Sequence, residues 1–207
     1  MGAHDFSQSP IPILVVCNAN VCRSPASEFA LAQSDELEVQ SAGLVASDGM
    51  QICSEAAEYI RTQPGGSSYV DQFASRPLNS IDWAKFELIL TATVSIRSDM
   101  LHERSDLRNR MFTLAEAREL TAEALSVEEQ FLFNEAGPGP VITQRRGSQP
   151  IMSTKPTKFH KNDISPLDIV DFHGARSRRR HRGAIEKSVS AGSDISCALT
   201  RWRTAVG

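Results

Sequence analysis

Ile13-Leu14-Val15-Val16-Cys17-Asn18-Ala19-Asn20-Val21-Cys22-Arg23-Ser24-Pro25 is the stretch on which the fold of this chain turns. Four branched apolar residues, preceded by Pro10 and Pro12, predict a buried strand over 11–16 that ends at Cys17. Helix signals begin at once. Ser24 stands where an N-cap belongs, and Pro25 suits a first helical position because its missing N–H would have had no partner there. A helix over 25–34 follows, with Phe29 and Leu31 to bury and Glu28 near the positive end of the dipole. The residues between Cys17 and Arg23 must then turn tightly where a strand ends and a helix starts. Unpaired backbone N–H groups converge at such a turn and form a nest for an anion.

Working outward, apolar runs and helix-forming runs alternate. Strands are expected at 11–16, 38–41, 86–91 and 110–113, and helices at 25–34, 53–62, 95–103 and 115–124, with a last helix near 175–202. This alternation predicts an α/β fold, a doubly wound four-stranded parallel sheet with helices on both faces, with any ligand at the carboxyl ends of the strands. At 207 residues and 41% apolar content the chain suits a single domain, 1–207. Residues 134–166 interrupt the pattern with Gly137-Pro138-Gly139-Pro140, Gly147, Pro150, Pro156 and Pro166, and read as a flexible insertion or a lid.

The nest carries a thiol and a guanidinium. The helix dipole, the loop N–H groups and the Arg23 charge all favour a thiolate at Cys17, which makes it the candidate nucleophile. Arg23 holds two oxygens of a phosphoryl group bidentately, as lysine cannot, and the amides of Asn18, Ala19, Asn20, Val21, Cys22 and Ser24 are placed to bind the others. Preorganised donors of this kind contribute most where negative charge spreads in a transition state. The Ser24 hydroxyl is positioned to donate to the Cys17 sulfur and ease its departure.

The loop Cys-x5-Arg-Ser-Pro, with an Asn and a second Cys inside it, resembles that of the low-molecular-weight protein tyrosine phosphatases. Val39-Gln40-Ser41-Ala42-Gly43 resembles that family's second strand and turn, Phe86 to Thr91 its third strand, and Arg110 to Leu114 its fourth. Asp168 to Gly174 resembles the late segment that supplies a general acid. The resemblance implies a phosphomonoesterase working through a cysteinyl-phosphate, with Cys17, Arg23 and Asp171 catalytic and Asp168 competing for the acid role. It implies loop support from Asn20, Ser24 and Ser41, a phosphorylated protein or small phosphoester as substrate, and no metal or cofactor. Departures from the family pattern point to a second reading, a non-catalytic phosphate-binding module or regulatory pseudo-phosphatase. Phe172 and His173 replace the proline and tyrosine after the acid, and Ala19 replaces a glycine. The loop Leu44 to Gly49 also lacks an aromatic wall for a tyrosine ring, a part for which Phe172 is the substitute.

Two relatives of that fold fit less well. An arsenate reductase needs a further redox pair near residues 80–95, and this chain has no cysteine between Cys53 and Cys197. A phosphoarginine phosphatase resembles the loop but has threonine where Val21 stands, which favours the tyrosine-type branch.

The remaining features are plainer. No signal peptide or membrane span is evident, and four cysteines without a framework pattern fit a reducing, cytoplasmic setting. Cys17 and Cys22, five positions apart, are spaced for a reversible protective disulfide. Residues 171–207 hold eight Lys/Arg against three acids in a chain of net charge −3, so the Arg176 to Arg182 cluster reads as a solvated face or an attractor of anionic substrates. No binding motif supports nucleic acid as a partner. His4, His102, His160, His173 and His181 show no metal-ligand spacing.

Overall fold

The structure, a computed structural model, describes residues 9–123, 165–173 and 177–206. Strands β1 (Ile11–Cys17), β2 (Leu37–Gly43), β3 (Leu88–Thr91) and β4 (Met111–Thr113) form one parallel sheet in the order β2-β1-β3-β4. In register, Cys17 lies opposite Gly43, and Val16 opposite both Ala42 and Thr91. The chain leaves β1 to one side for β2 and crosses back to the other for β3. Cys17 therefore ends the strand at the topological switch point, where α/β sheets open a crevice.

The helices are α1 (Arg23–Leu31), α2 (Ser54–Arg61), α3 (Gly66–Gln72), α4 (Val94–Glu103), α5 (Leu114–Glu123) and α6 (Arg178–Val206). Alternate residues of β1 feed opposite faces, as strand geometry requires. Ile11, Ile13 and Val15 pack with Leu88, Leu90 and Phe112 under Leu31 of α1 and Leu199 of α6. Leu14 and Val16 pack with Ile89 and Met111 under Ile96 and Met100 of α4. A third cluster joins Phe29 of α1 to Ala56 and Ile60 of α2, Val70 of α3 and Ile185 of α6. Helix α6 approaches α1 closely at Gly192, where a Cβ would stand 2.9 Å from the Ser27 carbonyl oxygen, so any larger residue would push the two helices apart.

The expected strands and helices are all present with shifted ends. Helix α3 is not among the expected elements; it opens at Gly66 and buries Val70. The expected cap is also corrected. Helix α1 begins at Arg23 after Cys22, and Ser24 makes no capping bond because its hydroxyl is drawn to the Cys17 sulfur instead. Most of the expected insertion at 134–166 lies outside the described residues. Among the described residues no helix is long and apolar enough to cross a membrane.

Candidate active site

The loop from Cys17 to Arg23 is held by a chain of side-chain hydrogen bonds whose donors and acceptors can be counted. Asn20 uses both protons of its amide nitrogen, one to Ser24 Oγ at 2.9 Å and one to Ser41 Oγ at 2.7 Å. Ser41 spends its single proton on Glu28 Oε2 at 2.5 Å. Ser24, already accepting from Asn20, faces Cys17 Sγ at 3.0 Å and the Ala42 carbonyl oxygen at 3.4 Å, and the sulfur is the nearer partner for its proton. The Asn20 backbone N–H also donates to Cys17 Sγ at 3.3 Å. Donors thus surround the sulfur, which is buried at 2% exposure at the end of β1.

Backbone shape follows the same residues. Asn20 has φ 54°, and it is the one non-glycine residue in left-handed conformation among those described. Asn tolerates this region better than most residues because its short polar side chain bonds locally. Ala19, which stands where the family pattern has glycine, has no positive φ, because the left-handed turn falls one residue later. Gly43 is needed on the facing strand: a Cβ there would stand 2.5 Å from the Asn18 carbonyl oxygen and 2.8 Å from the Asn20 nitrogen, both backbone. The loop after β2 then closes over the outside, with Leu44 N donating to Cys17 O and Val45 N to Asn18 O, each at 2.9 Å.

Glu28 anchors this network and was not singled out from the sequence beyond its place near the dipole. It is buried at 6% exposure and accepts from Ser41, from Tyr69 Oη at 3.0 Å and from Arg76 at 3.3 Å. Arg76 also donates its backbone N–H to Asn20 Oδ1 at 2.8 Å. Burial pushes the Glu28 carboxyl above its ordinary value, against the pull of Ser41, Arg76 and Tyr69. A raised carboxyl means that the folded state binds the proton more tightly. This contribution to stability is full below about pH 4.5, the ordinary Glu value, and is lost as pH rises through the folded value. Glu28→Gln should therefore gain stability relative to the parent as pH rises from 4 to 7 in denaturant melts. Glu28→Ala strands several buried donors and should cost about 2–4 kcal/mol throughout.

Arg23, 2% exposed, sends Nη1 to the Ile169 carbonyl at 2.9 Å and Nη2 to Asp171 Oδ2 at 2.5 Å. Its Nε is buried with no acceptor among the described residues. Asp171 Oδ1 accepts from the His173 N–H at 2.9 Å. Asp168 is differently employed: Oδ1 accepts from Val94 N at 2.7 Å at the start of α4, and Oδ2 from Ser165 N at 3.2 Å. Phe172 is half-buried against the core. Among the described residues, Val45 and Met50, in the loop after β2, are the exposed large apolar side chains, at 75% and 54%. Of the basic cluster, Arg178, Arg179, Arg180 and Arg182 lie exposed on the first turns of α6, with Arg178 beside Glu55 and Arg182 beside Glu186.

Cys22 points away from this network. Its sulfur lies 2.6 Å from Cys53 Sγ, 3.1 Å from His173 Nδ1 and 3.2 Å from His181 Nε2. All four cysteines are free thiols. The hydrogen bond from Cys22 holds the Cys53 thiol down to about 6 despite burial, with His181 and His173 acting in the same direction. The same bond, with burial, pushes Cys22 far above its usual value. Sequence spacing misses this group because its members come from four separate segments.

A parallel sheet with a cysteine at the switch point, a loop of amides over it and an arginine beyond defines a class. Residues 12–136 match the model of the low molecular weight phosphotyrosine protein phosphatase family. The chain belongs to that family and is a cysteine-dependent phosphatase. It is 33% identical over 109 residues, 51% of this chain and 70% of the relative, to a protein-arginine-phosphatase of Geobacillus stearothermophilus. Its fold is like that of an arginine phosphatase structure from the same organism, at 18% identity, 96% of this chain, 98% of that one and TM-score 0.60. It is also like a tyrosine phosphatase from Erwinia amylovora, at 18% identity, 90% and 91% coverage and TM-score 0.57.

Proposed function

We propose that Cys17 attacks phosphorus in line, that Arg23 and the loop amides bind the equatorial oxygens, and that Asp171 protonates the departing oxygen. The Arg23 and Asp171 ion pair carries this reading, because it stations the carboxyl beside the cation that would hold the phosphoryl group. A phosphate dianion brings twice the charge of a carboxylate and meets the loop amides as well, so it competes successfully for the guanidinium. Arg23 Nε, buried without an acceptor, is satisfied by one of its oxygens. Asp171, freed from the guanidinium, takes a proton from solvent and gives it to the departing oxygen; as the carboxylate it then accepts a proton from the attacking water in the second step. Ser24, its proton aimed at Cys17 Sγ, stabilises the sulfur as it departs.

The substrate we favour is an aryl phosphate on a protein. Val45 offers an exposed apolar surface on the loop that packs against Asn18, and Val21 stands where phosphoarginine phosphatases have threonine. Phosphoarginine is the second reading, favoured by the 33% identical relative. Comparing kcat/KM on phosphotyrosine, phosphoserine and phosphoarginine peptides separates them.

The acid assignment has its own test. Asp171→Asn should slow poor leaving groups by about 10²-fold or more and good ones far less. Asp168→Asn should leave that dependence on the leaving group unchanged while lowering stability through its bonds to Val94 and Ser165. Equal dependence in the two variants would overturn the assignment.

A further inference from the structure

Cys22, Cys53, His173 and His181 present four ligand atoms that all lie within 4.8 Å of one another. Two soft sulfurs and two imidazole nitrogens form the donor set that zinc takes in closed tetrahedral sites. Zn–S of about 2.3 Å and Zn–N of about 2.0–2.1 Å give tetrahedral edges of roughly 3.3–3.8 Å. The edges from Cys22 to His173 and to His181, at 3.1 and 3.2 Å, and from Cys53 to His181, at 3.6 Å, are close to that. The Cys22 to Cys53 edge, at 2.6 Å, must open by roughly 1 Å. Cys53 is half-buried at the start of α2 and His173 is exposed, so the side chains that must move are the ones with room to do so.

The outer groups fit as well. His181 turns its other nitrogen, Nδ1, toward Glu55 Oε2 at 3.6 Å, a few tenths of an ångström beyond the hydrogen bond by which a carboxylate orients a metal-binding imidazole. Two thiolates neutralise a divalent ion, and Glu55 offsets the neighbouring arginines of α6. Loading releases protons from the thiols.

We propose that these four residues form a Zn²⁺ site distinct from the Cys17 nucleophile. The site ties together the phosphate loop through Cys22, α2 through Cys53, the acid segment through His173 and α6 through His181. His173 donates its N–H to Asp171, so a bound ion also holds the proposed acid over the loop. That consequence for catalysis rests on the proposed function; metal binding itself does not.

Zn²⁺ and Co²⁺ titrations of the full chain, kept reduced with a phosphine, test the site directly. One equivalent should bind with Kd below about 1 μM. The Co²⁺ form should show the intense visible band of four-coordinate cobalt together with sulfur-to-cobalt charge transfer. Cys53→Ser and His181→Asn, each verified as folded by its metal-free melt, should weaken binding by on the order of 100-fold, and Glu55→Gln by about 10-fold. Cys17→Ser should bind like the parent. The proposal is overturned if the reduced chain binds neither ion, if Cys22 and Cys53 instead persist as a disulfide under the reductant, or if Cys17→Ser loses the ion while Cys53→Ser and His181→Asn keep it.

Discussion

Cys17→Ser should reduce turnover of an aryl phosphate by on the order of 10⁴-fold or more, the scale on which covalent enzymes respond to loss of their nucleophile. The change is nearly isosteric, and the hydroxyl can keep the partners of the sulfur, Ser24 Oγ at 3.0 Å and the Asn20 N–H at 3.3 Å. Fold and phosphate binding should therefore survive. Steady-state rates with para-nitrophenyl phosphate, a thermal melt and an inorganic phosphate titration check the three parts separately. Phosphate binding that persists while chemistry vanishes identifies a lost nucleophile; parallel loss of both would mean that the loop had collapsed. A parent protein that binds phosphate with no turnover would instead fit the regulatory module.

Arg23→Lys keeps the charge and is still expected to lower kcat/KM by about 10³-fold, the scale on which arginines act on phosphoryl transition states. The guanidinium serves its acceptors at fixed angles: the Ile169 carbonyl and Asp171 in the free enzyme, and in the proposed complex the Ile169 carbonyl together with phosphate oxygens on Nη2 and Nε. An ammonium is a point donor on a flexible stem and cannot span them. Two losses follow, one in holding equatorial oxygens and one in stationing Asp171. The second makes a separate signature. Arg23→Lys should alter the dependence on leaving-group basicity as well as the overall rate, and a series of substituted aryl phosphates reads both. An effect below tenfold, with leaving-group dependence unchanged, would mean that the arginine is not on the reacting phosphoryl group.

The loop was legible in the chain because its determinants are local. A branched apolar run, a turn and helix formers within about twenty residues specify strand, nest and helix with little help from elsewhere. The support of that loop was only half legible. Ser41 and Asn20 were found through family resemblance, while Tyr69, Arg76 and the buried role of Glu28 depend on how α3 and the segment before β3 fold back onto α1. Ser24 was misassigned as a cap for a physical reason. Helix α1 starts at Arg23 behind Cys22, one residue earlier than the Ser24-Pro25 pair signals, which puts the Ser24 hydroxyl inside the first turn against Asn20 and Cys17. Resemblance favours Asp171 for the acid with Asp168 competing, and packing gives Asp168 to the start of α4 and Asp171 to Arg23. The group of Cys22, Cys53, His173 and His181 is the extreme case, since its spacings reflect the path of the chain between distant elements and follow no local motif.

In the proposed reaction phosphate leaves the substrate on the sulfur at the end of β1. Rapid acid quenching of the enzyme with excess phosphoester, followed by mass mapping of its peptides, tests this most directly. One phosphoryl group per active enzyme is expected, carried by the peptide that contains Cys17 and formed as fast as the first equivalent of alcohol is released. Full turnover with that peptide unmodified, or with the phosphoryl group on another side chain, would contradict it.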